Sequence, residues 1–375
     1  MQKKLIALAL ASAFAAPAFA ATSNVDIYGV MNLSVERIDS SVSGKDKSTS
    51  INSNSSRLGF KGTEDLGGGL AAIWQIESSI AADSGSGTLA ARNTFVGLKG
   101  GFGTVMLGKI DTPMKGLGRA VDNFGDGIAD SRNILGSSTA PNAAGTRGTS
   151  LWDARPNNTI QYVTPDFSGL SGSLAYSTDT GAGSGSNANN PCVVGLDCNK
   201  NDAWSVAANY NNGPLLLGAG YEKHNTLNAA TSPNDISSKI WRVIAGYSFA
   251  GAKIGGLYEK ASGDLVNNND NLADRKAWGL FGNYAIGAIT LKANYLKAEE
   301  TNNVSNSGAK QYTLGADYAL SKRTTAYAFY AKVKNDGTAL AGGAYGLGAA
   351  GTSNSSLGHM GDDPSVFGLG MKHTF

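Results

Sequence analysis

Three arginines are the residues whose type and setting first suggest chemistry. Arg57 heads Arg57-Leu58-Gly59-Phe60-Lys61, where Leu58 and Phe60 share one parity and Arg57, Gly59 and Lys61 the other. Arg92 opens the stretch 91–100, in which Asn93, Phe95 and Gly97 read as the outward set. Arg155 precedes a segment with Ile160 and Tyr162 on one face and Gln161 on the other. A guanidinium is permanently charged and forks onto anions, so three of them on one wall would hold a positive field. Candidate opposing carboxylates are Glu77, which shares parity with Gln75 across from Trp74 and Ile76, and Asp122 and Asp126. With Asp130 the two aspartates recur every four positions, which would align them on one helical turn; the glycines between them argue against that turn.

Other chemistry finds little support. His224, His359 and His373 are far apart and show no metal-ligand spacing or base-and-nucleophile setting, so neither a zinc site nor a serine hydrolase is indicated. A G-x-G-x-x-G match at Gly346, Gly348 and Gly351 lies in an Ala/Gly loop, without the strand and helix that dinucleotide binding needs. The tract 267–271 reads as a solvated loop before a weak calcium site. Cys192 and Cys198 are consistent with one short-loop disulfide in an oxidising compartment, and their pairing stays open. No catalytic residue and no cofactor is expected.

The elements that must position these side chains are strands. Of 375 residues 16% are charged, against roughly 25% in soluble domains, and 50 are glycine. A net charge of +2 argues against nucleic acid as a partner. Beyond the first twenty residues no apolar run reaches the ~18 needed for a spanning helix. Alternation with period 2 pervades the chain: Ile27, Met31, Leu33 and Val35 oppose Asp26, Asn32, Ser34 and Glu36, and Trp241, Val243, Ala245 and Tyr247 oppose Arg242, Gly246 and Ser248. Sixteen strands follow, at 24–36, 56–65, 70–79, 91–100, 103–109, 158–164, 170–178, 203–210, 215–224, 238–249, 253–260, 275–285, 289–299, 310–318, 324–334 and 365–375. Tight turns alternate with long polar loops, the longest being 110–157. Aromatic residues end many apolar faces and small residues fill the opposite ones. A soluble sandwich would instead hide Val, Ile and Leu in a core. The reading is an all-β, 16-stranded antiparallel transmembrane barrel with short periplasmic turns and long external loops. In lipid only a closed sheet leaves no unpaired edge.

The first twenty residues read as a signal peptide: Lys3 and Lys4, an apolar run from Leu5 to Ala16, then Ala18-Phe19-Ala20 as a cleavage site. Cleavage there would remove two of the 31 basic residues and balance the 29 acidic ones. The remainder, 21–375, is expected to form one barrel domain.

Several stretches carry a family likeness. They are Val25-Asp26-Ile27-Tyr28-Gly29, the run 56–70 (SRLGFKGTEDLGGGL), Arg92-Asn93-Thr94-Phe95-Val96-Gly97-Leu98, Gly101-Phe102-Gly103-Thr104-Val105 and the terminal Phe375. With these, the chain resembles the general-diffusion porins of β-proteobacteria, the Gram-negative trimeric porin family. The resemblance implies a homotrimer in the outer membrane. It also implies a third external loop folded inward, matching 110–157, and a terminal aromatic, Phe375, read by the barrel-assembly machinery. Positions matching Arg57, Arg92 and Arg155 line the basic wall of the family's constriction.

The expected function is therefore a passive aqueous channel for ions and small hydrophilic solutes. Its constriction would have a basic wall of Arg57, Arg92, Arg155 and Lys61 and an acidic wall of Glu77, Asp122 and Asp126. Lumen-parity Arg242, Lys292 and Lys332 tilt the balance toward a mild anion preference, against Glu222, Glu259 and Asp317. A barrel-anchored surface receptor or adhesin, and a substrate-specific channel, are the alternatives.

Overall fold

A computed structural model of the chain describes residues 24–41, 47–136, 152–179, 201–227, 235–264, 274–301, 305–337, 345–348 and 362–375. Residues 1–20, expected to be a signal peptide, and both cysteines, Cys192 and Cys198, lie outside the described residues.

The described chain forms one closed antiparallel barrel of sixteen strands. In order they are β1 (Asn24–Asp39), β2 in two pieces (Ser48–Ser53 and Arg57–Gly67), β3 (Leu70–Ala81), and β4 in two pieces (Ser86–Thr88 and Thr94–Gly100). Then come β5 (Gly103–Lys109), β6 (Asn157–Val163), β7 (Leu170–Asp179), β8 (Asn201–Asn212), β9 (Leu215–Leu227) and β10 (Asp235–Phe249). The last six are β11 (Ala252–Gly263), β12 (Arg275–Ile286), β13 (Ile289–Ala298), β14 (Ala309–Ala319), β15 (Thr324–Asn335) and β16 (Ser365–Thr374). The seam closes where β16 pairs with β1, Leu33 standing opposite Met371. Phe375 extends it: its amide donates to the Gly29 carbonyl at 3.1 Å and its carbonyl accepts from the Gly29 amide at 3.0 Å.

The outer face follows the alternation. Val206, Leu217, Val243, Ile254, Leu280, Leu291, Leu314 and Leu369 are all exposed. A band of this extent far exceeds the few hundred Å² of contiguous apolar surface that soluble monomers tolerate, and lipid is the solvent that suits it. Ring pairs such as Tyr176–Trp204, Trp241–Tyr258 and Trp278–Tyr295 border the band near the long-loop end. Tyr247, Phe249, Tyr284 and Tyr318 border it at the short-turn end.

Two parity expectations fail. In β4 the cross-strand partners Trp74↔Val96 and Ile76↔Thr94 put Val96 outside, so Phe95 and Gly97 point inward. The break before Thr94 resets the alternation, and the bulk of Phe95 is accommodated on the inner face opposite Gly108. Lys332 pairs with the exposed Tyr312 and so faces outward.

The inner face is not uniformly bordered by water, as the small residues had suggested. After β5 the chain turns into the barrel and forms helix α1 (Pro113–Val121), capped by Thr112 with proline in its first turn. Met114, Leu117 and Val121 of α1, with Phe124, Ile128, Ile134, Leu135 and Trp152, are buried against inner-face residues of β8–β15 such as Ile240, Ile244, Leu257 and Phe281. The loop thus makes a second hydrophobic core inside the barrel. Glycines receive it: a methyl at Gly218 or Gly220 would meet Leu117 at 2.7 and 2.6 Å.

Candidate functional site

Charged side chains gather where the loop meets the wall made by β1–β6. Arg57 and Arg92 both follow backbone interruptions. Ser55 (φ 53°) breaks β2 just before Arg57, and Ala90 (φ 56°) sits in the break of β4 just before Arg92. Non-glycine residues with positive φ are uncommon and cluster where a site needs a special geometry. Between the two breaks runs β3, carrying Glu77. Arg92 Nε donates to Glu77 Oε1, Arg57 Nε lies 3.8 Å from Glu77 Oε2, and Tyr28 Oη donates to Oε2 at 3.1 Å.

Across from this group Asp126 comes down from the loop. Its Oδ2 accepts from Arg57 Nη1 at 3.1 Å and its Oδ1 pairs with Arg119 Nη2 of α1 at 2.8 Å. Burial alone would raise the Asp126 carboxyl, but Arg119, Arg57 and Arg92 together hold it below the usual carboxylate range. Positive and negative groups therefore interleave in one cluster instead of facing each other as the two opposed walls expected.

Arg155 sits at the loop's stem. Its Nε donates to Asn93 Oδ1 at 2.8 Å and its Nη2 pairs with Asp111 Oδ1 at 3.0 Å, which ties the departing and returning ends of the loop together. Lys115 shares the same carboxylate at 2.7 Å. Burial pushes the Lys115 amine down to about 8, while Lys115 and Arg155 overcome burial and hold the Asp111 carboxyl at about 2. Lys61 points inward from β2, exposed, with its ammonium 5.4 Å from the Tyr28 ring centre.

Asp122, expected opposite the arginines, turns away from them. Its carboxylate accepts the Phe124 and Ser131 amides, each at 3.0 Å, and the Asn294 side chain at 2.8 Å. Helix α1 ends before it, so the four-residue spacing of Asp122, Asp126 and Asp130 aligns nothing; the chain needs Asp122 to staple a non-helical turn. Burial, then the neighbouring Asp130 carboxylate, raise its pKa to about 6. Asp130 binds Arg132 at 3.0 Å.

Sequence reasoning passed over Arg119, Arg132, Asp111 and Tyr28 as members of this cluster. It gave Arg242 only a parity. Arg242 is wholly buried and pins the loop to the wall: it donates to the Met114 carbonyl at 3.0 Å, to Asp153 at 2.7 Å and to Glu259 at 2.7 Å. Arg275 completes the group through Glu259 at 2.6 Å and the Ile134 carbonyl at 2.7 Å. An arginine and a glutamate opposite each other on adjacent strands, both inward, were the available signal.

The profile of the Gram-negative porin family matches residues 7–338. The chain belongs to that family. A major outer membrane protein P.IB of Neisseria gonorrhoeae is 35% identical over 190 residues, 49% of this chain and 50% of that protein. A P.IB protein of Neisseria meningitidis serogroup B is 32% identical over 235 residues, 60% of each. The matches thus span half to three fifths of these curated relatives. Among solved structures, the anion-selective porin from Comamonas acidovorans superposes with a TM-score of 0.73 at 26% identity, covering 94% of this chain and all of that one. The trimer form of OmpT from Vibrio cholerae gives 0.63 at 19% identity, over 94% and 99%. This porin is a multi-pass outer-membrane barrel.

Proposed function

We propose that this porin is a passive channel for ions and small hydrophilic solutes across the outer membrane, with a mild preference for anions. The observation that carries the reading is the loop folded into a closed barrel and packed on one inner half. Where the loop meets the uncrowded part of the wall, Asp126 and Arg119 on the loop and Arg57, Arg92 and Glu77 on the wall form one ion-paired cluster, and the constriction is assigned beside it. Arg57 and Arg92 serve as the basic side of the constriction with Lys61 beside them, and Glu77 and Asp126 as its acidic members. Arg155 acts mainly on the loop's stem.

Three guanidiniums, Arg57, Arg92 and Arg119, against two carboxylates leave a local positive excess, which favours anions where water is scarce. The likeness to an anion-selective porin supports the same direction. The outward band requires lipid contact, and the family likeness supports a homotrimer assembled by machinery that reads Phe375. The reading makes the chain a channel and not a catalyst.

Planar-bilayer recording of the purified protein tests this. Ohmic conductance steps with a zero-current potential of anion sign in a KCl gradient are expected. A barrel that only anchors surface loops would insert without conducting, and that result would end the proposal.

A further inference from the structure

A second feature of the lumen adjoins the charged cluster, with Gly125 and Gly127, on either side of Asp126, in its lining. At the short-turn end, between loop residues 123–129 and the inner faces of β13–β16, the wall opens into a cavity of about 350 Å³. Small-molecule sites run from roughly 300 to 1,000 Å³, so it could hold one small ring compound.

Its charge is one-sided. Lys292, Lys322, Arg323 and Lys372 line it, and Asp317 is the one carboxylate lining it among the described residues. Asp317 is taken by Lys292 at 2.7 Å. Lys322 and Arg323, in the β14–β15 turn, and Lys372 on β16 make no ion pair among the described residues. Three positive charges are thus left facing the cavity.

Most of the rest of the lining is apolar or hydrogen-bonded within the protein, Asn54 Oδ1 being an acceptor without a partner among the described residues. Tyr327 and Phe329 lie over glycines, since a methyl at Gly370 or Gly368 would strike their rings at 2.3 and 2.4 Å. Phe124 faces them from the loop, its ring centre 4.7 Å from the Lys292 ammonium. The carboxamides at the edge are engaged within the protein. Asn32 accepts from Tyr327 Oη at 2.6 Å and donates to the Asn54 carbonyl at 3.2 Å, while Asn123 binds Asn283 and Asn294. A ligand therefore meets cations and flat rings, and few free groups that would reward hydroxyls.

We propose that this cavity is a transient binding site for small aromatic carboxylates: the ring stacks among Phe124, Tyr327 and Phe329, and the carboxylate is held by Arg323 and Lys372. Ring contact and charge attraction in one pocket would retain such a solute after it passes the neck, when an aliphatic anion would leave. The inference rests on the lumen being a conducting path.

The test is block of KCl current by benzoate added on the short-turn side, with acetate and benzyl alcohol as the ringless and uncharged comparisons. Benzoate should reach half-block at a concentration at least tenfold below either comparison. Arg323→Gln with Lys372→Gln should raise that concentration at least fivefold, Lys372→Arg should restore most of it, and ligand-free conductance should stay within twofold. Equal block by acetate and benzoate, or block indifferent to the double variant, overturns the site. Absence of ligand-free conductance in the unaltered protein would instead defeat the channel reading. Should the double variant fail to fold, calorimetry of benzoate on the unaltered detergent-solubilised porin decides, and lack of saturable heat rejects the site.

Discussion

Removing Arg57 and Arg92 should reverse the sign of the neck. The cluster holds Arg57, Arg92 and Arg119 against Glu77 and Asp126, so it carries one net positive charge; Arg57→Gln with Arg92→Gln leaves one net negative. A unit charge about 4 Å from a passing ion is worth ~1 kcal/mol in bulk-like water. A swing of two charges, partly screened at 0.1 M salt, gives about 1–2 kcal/mol, or roughly 5- to 30-fold in the anion-to-cation permeability ratio. Glu77 is nearly buried, and stripping both arginines leaves it only Tyr28, a loss that can cost about 3–5 kcal/mol. Adding Glu77→Gln removes that burden and brings the neck to neutrality, so the triple variant should fall midway. The zero-current potential in a KCl gradient should move in that order, further at 0.1 M than at 1 M, where the screening length shrinks to about 3 Å. An unmoved potential at both concentrations, in protein that still inserts, would refute the assignment of these arginines to the constriction.

Three further outcomes are expected. Arg242→Met should take from Asp153 its guanidinium partner, leave Glu259 to Arg275 and the Gly136 amide, weaken the loop's hold on β10 by a few kcal/mol (about 3–5 at most) and raise single-channel conductance; an unchanged conductance would show that apolar packing alone seats the loop. Asp122 has its carboxyl raised to about 6, so its contribution to loop seating is full below the unfolded value near 3.8 and fades as pH rises through 6, whereas Asp126, held low, contributes above 3.8 and fades in stronger acid. Hydrogen exchange of residues 113–133, corrected for intrinsic rates, should therefore show most protection near pH 4 and a decline from there toward pH 6, and Asp122→Asn should abolish that decline. Deleting Phe375 removes both hydrogen bonds to Gly29 and should reduce outer-membrane yield while leaving the conductance of surviving pores unaltered.

Strand positions were legible because lipid on one side enforces a strict apolar parity. Ile27, Val35, Trp241, Val243 and Tyr247 all stand exposed where that parity put them. It failed where the solvent constraint is absent. Ser48–Ser53 is polar apart from Ile51 and carries no alternation, so the first piece of β2 stayed invisible; the break before Thr94 shifted β4 by one residue. The arginines of the site could be read as inward charges, but not their partners. Asp126 and Arg119 reach the neck through a fold of the loop set by hydrophobic contacts with eight strands, and no local spacing encodes that. Asp122 shows the same gap: its acidity suggested a wall, whereas two backbone amides and Asn294 had already claimed it.

The glycine recesses behind helix α1 make the bore adjustable from its hidden side. Gly218 and Gly220 accept Leu117, and Gly315 accepts Phe124 at 2.7 Å from where a methyl would stand. Enlarging any of these would shim the loop toward the opposite wall without altering a single charge. Width and ionic taste thus sit on separate controls: the β9 and β14 recesses set one, and the β2–β4 arginines set the other. Relatives of this chain can drift in exclusion size while keeping their preference, or the reverse, through single substitutions on opposite sides of the same lumen.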